Sequence, residues 1–329
     1  MPLIELGHGS GGRQMRGLIR ELFLRYLDSD ELRMLEDSAY IRLNPDSAMT
    51  TDSYVIKPIF FPGGDIGKLS ICGTVNDLIV KGAIPRYISI GFIIEEGMSI
   101  DDLEDILKSI QRVAMSIGVK VVTGDTKVVE KGKCDSIYIN TTGVGEVVRP
   151  FSTADIRVGD RIIVTGTVGD HGTAIALVRN GFDIETSIES DCAALNNLLL
   201  PILEIDGLRW MRDPTRGGLA TVLCELSEVT GLGIRIFEND VPVRDDVRFI
   251  SDMLGYDPLY LANEGKAVIV ASEKDADAVI SKLREDELGR DASIIGMVTD
   301  EFKGVRLRTR IGGERLIELL DHDMLPRIC

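Results

Sequence analysis

The stretch RIIVTGTVGDHGTAIALVRNG, residues 161–181, sets the architecture of this chain. Residues 161–165 are a β-branched, apolar run that reads as a strand, and GTVGDHG (166–172) leads from it into a helix that ends at Gly181. A strand, a glycine loop and a helix in succession form the repeating unit of α/β proteins. The rhythm recurs downstream. A helix from about Gly218 carries Leu219, Val222, Leu223, Leu226 and Val229 on one stripe, strand-like runs cover 233–237 and 267–271, a helix covers 273–287, and a strand covers 304–309.

Upstream, residues 13–27 place Met15, Leu18, Ile19, Leu22, Phe23, Tyr26 and Leu27 on one helical face, and short β-like runs occupy 39–62 before the loop FFPGGDIGK (60–68). Ser99, followed by Asp102, opens a helix with Leu103, Ile106, Leu107, Ile110, Val113, Ala114 and Ile117 inward. A strand at 119–123 delivers the chain to Gly124 and Asp125, and another spans 136–148. Apolar periodicity lapses over 149–159, the best domain boundary. The expected organisation is a glycine-rich loop and helix (1–38), an N-terminal domain (39–150), a C-terminal α/β domain (151–310) and a flexible tail (311–329).

The chain has 329 residues and a net charge of −16, from 37 Lys plus Arg against 53 Asp plus Glu, so it lacks the basic surface a nucleic-acid binder needs. No uncharged apolar run is long enough for a membrane span, and no basic segment followed by an apolar one opens the chain, which suggests a cytoplasmic, soluble protein. Five cysteines, Cys72, Cys134, Cys192, Cys224 and Cys329, show neither CxxC spacing nor a disulfide framework. The fifth is the last residue.

Several short segments could carry chemistry. HGSGG, comprising His8, Gly9, Ser10, Gly11 and Gly12, precedes a helix and could cradle a phosphate or be a plain flexible loop; it lacks P-loop and dinucleotide spacing. Asp52, Asp77 and Asp125 each fall where a β-like run meets a loop; singly each reads as a turn or helix-cap aspartate, but aspartates converging from separate strands suit Mg2+ held on phosphates. Lys127, two residues past Asp125, shares its side of an extended chain. DPTRGGLA (213–220) pairs a helix start with Arg216, an anion site or simple helix initiation; His171 in GDHG is a catalytic group or, the better reading, a polar loop histidine; Glu264 in ANEGK is a base or a turn residue. The tail, MLPRIC, should be extended and mobile, and its last eight residues reach roughly 25 Å, enough to carry the terminal thiol into a cleft.

Together HGSGG, TDSYVIKPIFFPGGDIGKLSICGTVNDL, GDTKVVEKG, INTTGVGE, GDHG, RDPTRGGLA, LANEGK and PRIC resemble one family across nearly the whole chain: the HypE hydrogenase maturation factors of the aminoimidazole ribonucleotide synthetase-like superfamily. PRIC is the most discriminating piece. The resemblance implies a homodimer whose N-terminal domains pair into a β-barrel, with ATP and Mg2+ in a cleft. It implies that a carbamoyltransferase, HypF, loads Cys329, that ATP-driven dehydration converts the thiocarboxamide to a thiocyanate, and that the cyanide passes to a HypC and HypD scaffold. By motif match, Asp52, Asp77 and Asp125 would hold metal. His8 to Gly12, Asn76, Gly124, Thr126 and Arg216 would join them around the nucleotide, with Lys127 and Glu264 acting on the group carried by Cys329. The alternatives are another ATP-using enzyme of the superfamily with a diffusible substrate, and a non-enzymatic scaffold that displays its tail.

Overall fold

The computed structural model describes residues 3–9, 13–35, 38–39, 41–181, 186–321, 324–325 and 327–329. Strand β1 (Ser47–Tyr54) is followed by helix α1 (Ile66–Val80), strand β2 (Ala83–Glu95), helix α2 (Ile100–Ile117), strand β3 (Lys120–Val129) and strand β4 (Ile137–Val147). The strands lie in the order β1-β4-β2-β3, with β2 and β3 parallel across α2 and the other neighbours antiparallel. Edges β1 and β3 stay apart, so the expected barrel is not closed by the described residues of one chain. The N-terminal helix runs on through a wide turn (Ile19–Phe23) and packs on the sheet, with Phe23 edge-on to Phe92 at 5.0 Å between ring centroids.

Helix α2 is the amphipathic element its periodicity announces: Ser99 accepts from the Asp101 amide, and Leu103, Ile106, Leu107 and Ile110 are buried. Helix α1 hides from such reading because it is buried almost all round and so has no polar face. Asp65 caps it, accepting from the Gly67 and Lys68 amides at 2.7 and 3.0 Å. The helix runs through TVND, so Asp77 stands on a helix rather than at a strand end. Asp52 and Asp125 lie inside β1 and β3 rather than at their ends.

The second half comprises β5 (Arg161–Val164), α3 (Asp170–Asn180), β6 (Leu208–Arg212), α4 (Gly218–Thr230), β7 (Gly233–Phe237), α5 (Asp245–Leu254), β8 (Val268–Ala271), α6 (Ala276–Leu283), β9 (Ser293–Thr299), β10 (Gly304–Arg308) and β11 (Glu314–Ile317). The strand–helix alternation is present, but only β10 and β7 pair in parallel within the sheet β11-β10-β7-β9-β5-β8-β6. Alternation along the chain does not dictate direction across a sheet. The segment assigned wholly to a flexible tail begins with ordered structure, since β11 pairs with β10 up to Ile317.

The first core includes Ile71, Cys72 and Val75 from α1, Ile175 and Ala176 from α3, and Leu325 and Ile328 from the tail. The two halves and the tail therefore share packing, and the cleft lies where they meet. Among the described residues no helix is long and apolar enough to cross a membrane.

Candidate active site

A cavity of about 330 Å³ is lined by Asp52 and Tyr54 of β1, Gly73 and Asp77 of α1, Asp213 and Arg216 before α4, Glu264, and Cys329. Asp52 and Asp77 lie within hydrogen-bonding reach of one another, Thr50 donates to Asp77 at 2.6 Å, and Arg216 stands 3.4 Å from Asp52. Gly73 is needed here because any side chain would strike the Tyr54 hydroxyl. In DPTRGG, Gly217 and Gly218 both take φ of +61°, and a Cβ at Gly218 would meet the Leu259 and Leu261 carbonyls. That turn starts α4 and leaves Asp213 and Arg216 facing the cleft.

The acids repel one another. Burial first, and then the Asp77 charge, pushes Asp52 up to about 6, against the pull of Arg216. Asp213 is pushed up to about 7 by loss of solvent and by Asp77. Glu264, only 2% exposed, is held well above the usual carboxylate range by burial and then by Asp213, Asp191 and Asp52. Its Oε1 is buried with no hydrogen-bond partner. Glu264 is thus a cleft-lining carboxyl of raised basicity with one buried, unbonded oxygen, whereas Asp52, Asp77 and Asp213 form an oxygen-rich acidic wall.

The described end of the tail, which brings Cys329 here, is docked against the cleft. Val55 N–H donates to the terminal oxygen of Cys329 at 3.0 Å. His171, fully buried, sits 2.9 Å from the Ile328 carbonyl through Nε2 and 2.7 Å from Ser190 Oγ through Nδ1. Burial lowers its pKa, so a neutral ring donates from Nε2 to the carbonyl and accepts the Ser190 hydroxyl at Nδ1. Arg179 donates to the Arg327 carbonyl. The Arg327 guanidinium reaches the Val55 carbonyl at 3.1 Å and Asp135 at 2.5 Å. His171 is therefore a buried tail contact rather than a polar loop residue. At about 1 kcal/mol net per hydrogen bond, this set holds the tail without locking it.

Other expected residues lie elsewhere. The register Asp52–Thr141–Ile90–Gly124 crosses the first sheet, so β1 and β3 are three strand spacings, roughly 14 Å, apart. Side chains alternate along β3, which turns Asp125 and Lys127 to the face opposite Asp52. There they pair at 2.7 Å, and the Lys127 ammonium holds Asp125 below its ordinary value. Gly124 lets β3 approach the Ile90 carbonyl, and Thr126 is buried. His8 uses Nδ1 to accept from Glu5 N–H, and Gly9 sits against the Val128 backbone, so the described part of HGSGG lies on β3. Ser10, Gly11 and Gly12 lie outside the described residues, as do His322, Asp323 and Pro326 of the tail.

Asn76 is not available to a nucleotide: it is buried, its Nδ2 donates to the Ala193 and Glu264 carbonyls at 2.9 and 3.3 Å, and its Oδ1 accepts from Leu195 N–H at 2.8 Å. Tyr54, Gly73 and Asp213 of this lining escaped sequence reading. Asp213 was hidden in a motif that reads as helix initiation, and Tyr54 in an apolar strand run.

Among the described residues no group of three or more His, Cys, Asp or Glu is placed to hold a metal ion by itself. The wall does suit a hard cation that takes one or two carboxylates and fills its shell from phosphates.

The chain matches the AIR synthase related protein N-terminal domain over residues 35–147 and the C-terminal domain over 157–307. The carbamoyl dehydratase HypE of Azotobacter vinelandii is 46% identical over 332 residues, covering 99% of this chain and 97% of that protein. A crystal structure of the hydrogenase maturation protein HypE in complex with ATP superposes with a TM-score of 0.95 at 45% identity, over 99% of both chains. A HypE–HypF complex superposes at 0.81 with 43% identity, over 92% of this chain and 99% of the other.

Proposed function

Since the chain belongs to the HypE carbamoyl dehydratases, within the AIR synthase related proteins, we propose that it uses ATP to dehydrate a thiocarboxamide on Cys329 to a thiocyanate, supplying cyanide for [NiFe]-hydrogenase maturation. The observation that carries this reading is the docked tail: Cys329 lines the same cavity as Glu264, Asp52, Asp77 and Asp213. A relative crystallised with ATP supports the nucleotide, and the HypE–HypF complex supports HypF as the carbamoyl donor. HypC and HypD are the proposed acceptor of the product.

An amide oxygen is a poor leaving group, so it must be phosphorylated and then lost as phosphate, while the nitrogen gives up two protons. Glu264 is buried with an unbonded oxygen and a raised pKa, which makes its ionised carboxylate a stronger base than usual, and in that ionised form it is the proposed acceptor for one of them. Arg216, at the start of α4, would meet the transferring phosphoryl. Asp52 and Asp77, with Asp213 beside them, would hold Mg2+, which supplies charge neutralisation of the triphosphate. The docked tail shields the reacting group from water.

Asp125 and Lys127 can join this cleft only from a second copy. The β3 edge and the outward face of the sheet, with Met49 and Ile93 exposed, suit the proposed barrel-forming homodimer. The test is intact mass after incubation with HypF, carbamoyl phosphate and ATP. The expected result is a carbamoyl gain followed by loss of one water, both absent in Cys329→Ala. Dehydration surviving in Cys329→Ala would overturn it.

A further inference from the structure

The peptide groups on either side of Glu264 are gripped from separate elements. Asp191 accepts from the Glu264 N–H at 3.0 Å with Oδ1 and from the Gly265 N–H at 3.3 Å with Oδ2. Lys266 stands 3.2 Å from the same Oδ2, both side chains nearly buried. On the opposite side, Asn76 of α1 donates to the Glu264 carbonyl and binds Ala193 and Leu195 at both ends of its amide. A Cβ at Gly265 would collide with the Asp191 carbonyl, so the segment sits hard against the loop that carries Asp191. Buried polar groups of this kind are expensive unless every partner is present. Here the partners converge on the two peptides that flank Glu264, while its carboxyl keeps one buried oxygen without a hydrogen bond and the residue lines the cleft.

We propose that Asn76 and the Asp191–Lys266 pair are positioning residues for dehydration: they fix the backbone of Glu264 so that its carboxyl is presented to the group on Cys329. They act through Glu264 and touch neither nucleotide nor substrate, and the proposal rests on the reading of Glu264 as proton acceptor. It reassigns Asn76, which its motif places among nucleotide ligands. The Asp191–Lys266 pairing brings two opposite charges together, so the clamp adds no net charge beside an acid that is already crowded.

The test is single-turnover dehydration on full-length protein carbamoylated by HypF, with ATP affinity and thermal melting measured in parallel, for Asn76→Ala, Asp191→Asn/Lys266→Met, Glu264→Gln and the combination Asn76→Ala/Glu264→Gln. The isosteric Asn76→Asp, which keeps the acceptor and loses the donor, serves if Asn76→Ala does not fold. Each clamp variant should slow dehydration by about ten- to a hundredfold with ATP affinity within about twofold of the parent. Adding Asn76→Ala to Glu264→Gln should cost less than about twofold more, because a residue that acts only through Glu264 has nothing left to position. Losses that multiply in the combination, or an ATP affinity that falls in step with the rate, would overturn the clamp. An unchanged rate in Asn76→Ala beside a slow Glu264→Gln would remove the clamp alone, whereas a parental rate in Glu264→Gln would remove the proton-acceptor reading and the clamp with it.

Discussion

The two edges of the first sheet carry acids in opposite condition. On β1 and its neighbours, Asp52, Asp213 and Glu264 are crowded and desolvated, and each is pushed toward its protonated form. On β3, Asp125 is 64% exposed, already paired with Lys127 and held below its ordinary value. The first group is destabilising until a cation arrives; the second is satisfied as it stands. Burial, not residue type, separates an acid poised for a ligand from one that is merely soluble.

The largest expected effect tests whether both edges serve one reaction. Asp77→Asn should lower single-turnover dehydration about a hundredfold or more, the scale of losing a ligand to the cation that would neutralise the transferring phosphoryl. Asp125→Asn should approach that loss only if a second copy delivers β3 to the cleft. Mixing and reassociating the two inactive variants should then restore about a quarter of parental sites, because half the dimers are mixed and each has one intact site. No recovery on mixing would confine the chemistry to the cleft of one chain.

The next effect is on stability. Asp52 has a folded pKa of about 6, above its ordinary value, so between the two the folded state holds more protons than the unfolded one. Stability of the ligand-free protein should therefore fall as pH rises through that window and stay low above it. Asp52→Asn should raise ligand-free stability at pH 8 by about 1–3 kcal/mol in denaturant titration. An unchanged midpoint would mean that the crowding is relieved by solvent.

His171 gives a smaller effect of opposite sign. Its folded pKa is lowered, so as pH falls below the unfolded value the unfolded chain takes up a proton that the buried ring refuses. Stability should drop by at most ~1.4 kcal/mol per pH unit over that range. His171→Phe should abolish this slope and speed proteolysis of the C-terminus. The smallest effect lies on β3: Lys127→Met should change thermal stability by no more than ~0.5 kcal/mol, because an exposed ion pair is screened by water and salt.

Much of the fold was legible. The helices over 100–117 and 218–230 and the strands over 137–147, 161–164 and 304–308 announce themselves through periodicity, caps and glycine stops. Helix Ile66–Val80 did not, because an element buried on every face has no pattern to show. Among site residues, Asp52, Asp77, Arg216, Glu264 and Cys329 were named from motif chemistry and line one cavity. Asp213 was passed over because Asp-Pro before a Gly-Gly turn has a sufficient local explanation.

By itself the sequence determined the family, the thiol at the chain end and the stock of acids, since those are matters of residue type and order along the chain. Only the tertiary structure decided which acids meet. Strand register puts Asp52 and Asp125 on opposite faces of the sheet, and α1 brings Asp77 and Asn76 to loops more than a hundred residues away. Solvent removal at that junction then sets the charge state of each. Hydrogen bonds from His171 and Val55 likewise turn a terminal cysteine, free in sequence to lie anywhere within its reach, into a lining residue of the cleft. Proximity and desolvation arise from packing between distant segments, and neither is encoded in any one of them.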